Sequence, residues 1–471
     1  MAAVLIEDGK IKRMIPHSFL RFLALVAILL STLVSPALSQ SHPNIILILT
    51  DDQGFGDLSS YGAKDLRTPN MDSIVARGMR FDNFYANCPV CSPSRAAILS
   101  GKYPDRVGVP GLVRTDAKDN WAYLSHDAVL LPAILHKAGY HTAIVGKWNL
   151  GLDPDNSPNA KGFDLFHGFL GDMMDDYLTH RRQGHNYMRL NDQEIDPKGH
   201  ATDLFTQWAI EYIHQREAAA KDGHPFYLYL AYNAPHVPIQ PPKAWLDKVK
   251  QREPGLSPKR AAMVALLEQL DDGIGQVLGA MKKSGLEQNT LIFFTSDNGG
   301  QVDAGASVGP YRGTKGTMYE GGLRVPMAAL WPGHIAPGSR SEAVAAHMDI
   351  MASICEAAGA IPPSDIDAIS LIPVMTGKAQ EVANPRELYF VRREGGPQYL
   401  GLTSHALRRG DWKLLQNTPF SPLELYNLKE DPREEHNLIK SEPRVRNEMS
   451  RILQAHIQQA GGVPWEKPGT R

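Results

Sequence analysis

Cysteine is scarce in this chain. There are 3 cysteines in 471 residues, Cys88, Cys91 and Cys355. That is too few for a disulfide scaffold, and no second pair follows Cys88-x-x-Cys91 to complete a zinc site, although spacing alone leaves a redox dithiol open. Charge of one sign is missing as well: 49 Lys and Arg stand against 51 Asp and Glu, a formal net charge of −2. No broad basic face for nucleic acid is implied, so any recognition of anions has to be local. No internal repeat is visible. The apolar run near the N-terminus, Phe22 to Leu33, is short for a membrane span.

That run sits in a segment of its own kind. Lys10, Lys12, Arg13 and Arg21 surround or precede it, and Pro36-Ala37-Leu38-Ser39 offers small residues for a signal-peptidase site near Ser39. Residues 1–39 read as a secretory signal with a long basic lead, or as a mistaken upstream start, with an uncleaved anchor as the rival reading. No stable membrane insertion is expected. Past residue 39 no Asn-x-Ser/Thr sequon occurs with x other than proline. This favours a bacterial periplasmic or secreted protein over a lysosomal one.

With 43% hydrophobic residues the rest of the chain can bury one large core and a smaller unit. The main unit is expected over residues 40–380, with a Pro-, Asp- and Ser-rich linker around 361–385. An antiparallel-sheet unit is expected over 381–471, with strands within 387–392, 400–407 and 411–415 and a closing helix over 444–458. In the main unit, Met79 to Tyr85 reads as one strand, and the phenylalanines Phe163, Phe166 and Phe169 read as core. Ala261 to Ala280 carries a helical apolar period, leaving Asp271 and Asp272 as solvated or capping groups.

The chemistry-bearing residues follow buried strands. Asn44-Ile-Ile-Leu-Ile-Leu-Thr50 is a continuous apolar run ending in Asp51-Asp52, and Leu291-Ile-Phe-Phe-Thr295 leads into Ser296-Asp297-Asn298. Buried parallel strands read this way, and the carboxyl edge of such a sheet is where ligands bind. Asp51, Asp52, Asp297 and Asn298 thus form a donor set for a hard cation such as calcium or magnesium. Tyr140 to Val145 runs into Gly146-Lys147-Trp148-Asn149, and Pro225 to Tyr232 into Asn233-Ala-Pro235-His236-Val-Pro238, where prolines make a restrained mount for a proton donor. Tyr311 to Gly322 is glycine-rich with alternating cations, suited to approaching an oxyanion with Lys315.

Cys91-Ser92-Pro93-Ser94-Arg95 precedes the apolar run Ala96 to Leu99. Pro93 fits a first helical turn, which puts Cys91 at a helix N-terminus, where a thiolate or anion would be stabilised, and Arg95 one turn on along the same face. The polar stretch 152–200 adds Arg181, Arg182, His185 and Tyr187, which read either as an exposed loop or as the lining of a substrate cleft.

Cys91-x-Pro93-Ser94-Arg95 resembles the sulfatase family, whose motif marks a cysteine oxidised after synthesis to formylglycine (3-oxoalanine). The likeness extends in order through Asp51/Asp52, Cys91/Arg95, Lys147, His236, Asp297/Asn298 and Lys315, and so covers nearly the whole mature chain. It departs at Asn149, where the family usually carries histidine. The resemblance implies an α/β alkaline-phosphatase-like mixed sheet flanked by helices, with a smaller C-terminal antiparallel sheet. It also implies a sulfuric ester hydrolase acting on a sulfated carbohydrate or aryl sulfate. Cys91, Arg95, Lys147, His236 and Lys315 would be catalytic, and the converted Cys91 would join Asp51, Asp52, Asp297 and Asn298 on Ca2+. Asn149, Arg181, Arg182, His185 and Arg312 are candidate substrate contacts, and a formylglycine-generating enzyme is the expected maturation partner. A hydrated aldehyde would attack sulfur, and the usual histidine would then help expel sulfate, a proton transfer that an amide cannot perform. A phosphonate or phosphodiester hydrolase of the same fold and a non-catalytic sulfated-glycan-binding protein with unmodified Cys91 remain the alternatives.

Overall fold

The computed structural model describes the backbone of residues 4–7 and 10–13 and the chain over 42–116, 120–382, 385–395 and 399–465. It divides into two units, Met1–His42 and Pro43–Arg471. In the first, Val4–Glu7 pairs antiparallel with Lys10–Arg13; the remainder of the segment read as a signal lies outside the described residues. No described helix is long and apolar enough to cross a membrane.

The second unit is built on a 10-stranded mixed sheet. Its centre is parallel: Leu165–Phe169, His141–Lys147, Phe226–Ala231, Asn44–Thr50 and Thr290–Ser296 lie side by side in that order. Every residue of Asn44–Thr50 is buried. Alternate residues face opposite sides of a strand, so Ile45, Leu47 and Leu49 enter one core while Ile46 and Ile48 enter the other. The first core takes Ala96, Ile98 and Leu99 of the Cys91–Ser100 helix; the second takes Leu266, Leu267 and Leu270 of the Pro258–Lys283 helix. An unbroken apolar strand is therefore what a sheet covered by helices on both faces requires. Phe163, Phe166 and Phe169 are all buried.

Antiparallel pairing takes over at the edges. Met327–Leu330 runs against Thr290–Ser296, and Met188–Leu190 against Leu165–Phe169. The strand expected over Met79 to Tyr85 is two strands. Met79–Phe81 stays in the large sheet, whereas Phe84–Tyr85 pairs with Ala345–Ala346. Polar anchors divide them: Arg80 and Arg340 bind the Asp82 carboxylate, and Asn83 Nδ2 donates to the Glu342 carbonyl at 2.8 Å. Asp271 is a buried cap for a different helix. Its carboxylate accepts from the Asn70 and Met71 amides that open Pro69–Arg77, at 3.1 and 2.8 Å.

The C-terminal sheet is antiparallel in the order Glu387–Glu394, Leu402–Arg409, Trp412–Gln416, Glu424–Asn427. Met449 and Leu453 of the Pro443–Gln459 helix share its core, as do Met318 from the glycine-rich segment and Leu323 just after it.

His347 is structural. It is fully buried, and its Nε2 donates to the Ser296 carbonyl at 2.9 Å. Burial lowers its pKa to about 3. A histidine held neutral in the fold stabilises fully above its unfolded value near 6.5, and that stability is lost as pH falls toward the folded value. Between pH 7.5 and 5 this group alone should cost about 2 kcal/mol. Denaturant unfolding across that range should show a steeper fall for the wild type than for His347→Gln; equal slopes would remove His347 as the source.

Candidate active site

The parallel register gathers the strand-end residues on one edge. Thr50 pairs with Ser296, and Ala231 with both Leu49 and Gly146. Asp51-Asp52, Asp297-Asn298, Lys147 and the segment leading to His236 therefore leave the sheet together. Cys91 is the first residue of the Cys91–Ser100 helix and is buried, and its Sγ lies 3.5 Å from Asp51 Oδ1. One turn on, Arg95 is fully buried. Its Nη2 lies 2.7 Å from Asp297 Oδ2 and 3.3 Å from Asp51 Oδ2, and its Nη1 donates to the Lys147 carbonyl at 3.1 Å.

The two lysines divide the two adjacent acids. Lys147 Nζ is 2.5 Å from Asp51 Oδ2, and Lys315 Nζ is 2.7 Å from Asp52 Oδ1. His236 follows, with Nε2 3.6 Å from Asp52 Oδ2 and Nδ1 2.7 Å from the Val237 carbonyl. Because a carbonyl only accepts, the Nδ1 carries the ring proton. Asp52 adopts a left-handed backbone, φ 68°, which turns two successive carboxylates toward different partners.

Burial and local charge together set the protonation states. Burial alone would raise the Asp51 carboxyl, but Lys147, His236, Arg95 and Lys315 together hold it well below the ordinary carboxylate range. Asp297 goes the other way: burial and the neighbouring Asp51 charge push it up to about 7 despite Arg95. Lys315 is shifted upward: burial alone would lower it, but Asp52 together with the other groups around it, Asp51 among them, more than offsets that cost. His236 is lowered, by burial and by Lys315. The Cys91 thiol is pushed far up, by burial first and then by Asp51. This corrects the expectation of a stabilised thiolate: the helix N-terminus is outweighed by desolvation and a carboxylate 3.5 Å away.

The donor set suits a cation. Asp51, Asp52, Cys91 and His236 bring ligand-type atoms within 4.8 Å of one another, and Asp297 and Asn298 stand on the adjoining strand end. Asn298 Nδ2 donates to Asp52 Oδ1 at 2.7 Å, while its buried Oδ1 has no hydrogen-bond partner among the described residues. A buried amide oxygen without a donor beside crowded carboxylates is the environment of a hard, oxygen-seeking ion.

The candidate substrate contacts have partners of their own. Asn149, φ 56° and buried, donates through Nδ2 to the Val113 carbonyl at 2.9 Å, and its Oδ1 has no partner among the described residues. Val113 in turn donates its amide to Ser92 Oγ at 3.0 Å, beside Cys91. Arg181 and Arg182 sit in a short hairpin opposite Asn186 and His185. Arg181 pairs with Asp196, and His185 is exposed. Arg182 Nε binds Asp172 Oδ1 at 3.1 Å, an oxygen that also accepts from Thr115 Oγ1 at 3.3 Å. Arg312 turns to the C-terminal sheet, with Nη1 on Tyr426 Oη and the Glu434 carbonyl. Tyr177 was not legible from sequence: its buried hydroxyl donates toward the Asn233 and His236 carbonyls at 2.7 and 2.8 Å. It lies in the polar stretch, with no motif around it.

Comparison with known proteins agrees with this arrangement. Residues 43–360 match the model of the family described as sulfatase, and residues 313–460 that described as N-sulphoglucosamine sulphohydrolase, C-terminal. The chain is 36% identical to N-acetylgalactosamine-6-sulfatase of Sus scrofa over 358 residues, 71% of this chain and 66% of that protein. It thus spans about two thirds of that relative's length. Arylsulfatase A of Bos taurus is 33% identical over 447 residues, covering 85% of this chain and 84% of its own. The crystal structure of Ps i-CgsB in complex with k-i-k-neocarrahexaose superposes with a TM-score of 0.80 at 30% identity, covering 88% of this chain and 92% of that one. The fold is the one this family uses, a helix-flanked mixed sheet with a smaller C-terminal antiparallel sheet, and the chain belongs to the sulfatase family.

Proposed function

We propose that the protein is a sulfuric ester hydrolase that removes sulfate from a sulfated carbohydrate, using a formylglycine made from Cys91. The observation that carries this reading is the convergence of Cys91 with three cations, Arg95, Lys147 and Lys315, on carboxylates at the carboxyl ends of the central strands. Asp51, Asp52, Asp297 and Asn298 would hold a calcium ion together with the converted Cys91, since an all-protein set of oxygen donors suits calcium better than the water-retaining magnesium. When present, the ion and the aldehyde-bearing side chain supply an acidified oxygen nucleophile that a protonated thiol is not.

The chain's own residues do the rest. Arg95, Lys147 and Lys315 counter the charge on the sulfate oxygens; Arg95 and Lys147 are fully buried and Lys315 largely so, where water screens them little. Lys315 Nζ carries the proton nearest the Asp52 side of the site, whereas His236, with its ring proton committed to Val237, offers Nε2 as an acceptor in the free enzyme. Asn149 hydrogen-bonds but takes no proton. The saccharide reading draws on the names of the relatives and on the hairpin, where Arg182 holds the Asp172 carboxylate that also accepts from Thr115, two residues beyond Val113. The signal-like N-terminus and the missing sequons support a periplasmic or secreted enzyme matured by a formylglycine-generating partner.

The test is sulfate release from a panel of sulfated saccharides, by protein whose conversion at Cys91 is checked by peptide mass. Release is expected, with EGTA reducing it at least about 100-fold and calcium restoring it, because the nucleophile loses its acidifying ion. Converted, calcium-loaded protein that releases no sulfate but cleaves phosphodiesters or phosphonates would overturn the proposal.

A further inference from the structure

Lys315 is held by more than Asp52. Its own amide donates to the Gly300 carbonyl at 3.0 Å, which ties it to the loop that follows Asp297-Asn298. The next residue, Gly316, is gripped from two directions. Its amide donates to the Pro89 carbonyl at 2.8 Å, two residues before Cys91. Its carbonyl accepts from Arg392 Nη1 at 2.9 Å, on the first strand of the C-terminal sheet. Gly316 has φ +87°, and a Cβ there would lie 2.7 Å from Arg392 Nη1. Glycine is required both for the left-handed backbone and for the guanidinium's approach.

Arg392 is itself oriented. Its Nε lies 3.1 Å from Glu394 Oε1, and the other oxygen of Glu394 accepts from Arg114 Nη2 at 2.9 Å. Glu394 is buried, and the Arg392 side chain is only 13% exposed. On the far side of the loop the Met318 amide donates to Asn417 Oδ1 at 2.7 Å, a second tether from the C-terminal sheet.

We infer that Arg392 is a positioning residue: through the Gly316 carbonyl it sets where the Lys315 ammonium stands, and so makes the C-terminal sheet part of the active site's construction. The inference rests on the role given to Lys315 above. An ammonium on a flexible stem is placed by its backbone, and the loop has several glycines that would otherwise let it drift. Catalytic groups displaced by about 1 Å lose on the order of 100-fold in rate.

The experiment is a double-mutant cycle on the converted, calcium-loaded enzyme with a nitrophenyl sulfate ester, using Lys315→Ala, Arg392→Met and the pair. Arg392→Met should lower kcat about 10-fold or more with KM changed less than about threefold, because the group it places acts on the transition state. Arg392→Lys should recover part of the loss, since an ammonium can still donate to the Gly316 carbonyl. In the Lys315→Ala background, Arg392→Met should cost less than about twofold further, the sign that both act through one group. Multiplicative losses would overturn the inference while leaving Lys315's role intact. A fully active Lys315→Ala would overturn both, and so marks failure of the underlying reading. Should Arg392→Met not fold, Asn417→Ala, which frees the Met318 amide, takes its place in the cycle with the same expectations.

Discussion

Cys91→Ala should abolish sulfate release, by at least about 10^4-fold, while leaving the fold and the affinity for sulfated saccharide nearly unchanged. The size follows from position. Cys91 opens its helix with Sγ directed at Asp51 3.5 Å away, and no other cysteine adjoins the strand-end acids: Cys88 and Cys355 are buried thiols, absent from the ligand-atom cluster. The thiol is also no substitute for its oxidised product, because burial and Asp51 keep it protonated. Whether the wild-type side chain is the thiol or its oxidised product, alanine removes only one or two heavy atoms, so the thermal midpoint should move by no more than a few degrees. Rate, thermal midpoint and saccharide binding measured on the same preparation separate the alternatives. A variant that still releases sulfate would place the nucleophile elsewhere. Unaltered binding by a wild type that never turns over, although converted and calcium-loaded, would mark a binding protein.

Arg95→Met should destabilise the protein by about 3–5 kcal/mol, as well as cutting turnover by two orders of magnitude or more. Arg95 is fully buried and holds Asp297 Oδ2 at 2.7 Å and Asp51 Oδ2 at 3.3 Å. Its removal strands Asp297, a carboxylate that burial and Asp51 already push up to about 7. The sign of the pH effect follows. Without Arg95 the folded-state pKa of Asp297 rises further above its unfolded value, so protonation favours the fold and the deficit shrinks as pH falls below that pKa. Urea unfolding in EGTA at pH 8 and pH 6 should therefore show the larger loss at pH 8. Arg95→Lys is no remedy, because one ammonium does not reproduce the guanidinium's contacts with Asp297, Asp51 and the Lys147 carbonyl. A loss below about 1 kcal/mol would mean that a neighbouring cation takes over Asp297.

The parts of the site legible beforehand are those carried by single stretches of chain. Asn44–Thr50 and Thr290–Ser296 announce themselves as buried parallel strands because helices cover both faces, and the polar residues after them then lie at one sheet edge. Cys91 and Arg95 share a helix face because they stand one turn apart. The break at Asp82-Asn83 was not legible, because the ion pair of Arg340 with Asp82 spans 258 positions and no local pattern announces it. Nor was the thiol's protonation: the helix N-terminus is a local property, whereas the opposing carboxylate comes from 40 residues earlier.

Asn149 and the arginine hairpin mark the same limit. The change from histidine is plain in the sequence, but only the fold turns Asn149 Nδ2 to Val113 and leaves its Oδ1 without a partner among the described residues. Arg182 reads as free charge in a polar stretch and is committed to Asp172 and Asp175.

By itself, then, the sequence determined the elements and the chemical types they deliver, since apolar period, helix-opening proline and strand-end acids are written within a few consecutive residues. Tertiary structure alone decided the pairings: Lys147 with Asp51, Lys315 with Asp52, Arg95 with Asp297, and Arg392 with the Gly316 carbonyl. Each depends on which strands and sheets become neighbours. That order is set by burying both faces of one sheet at once, and no short window of sequence contains it.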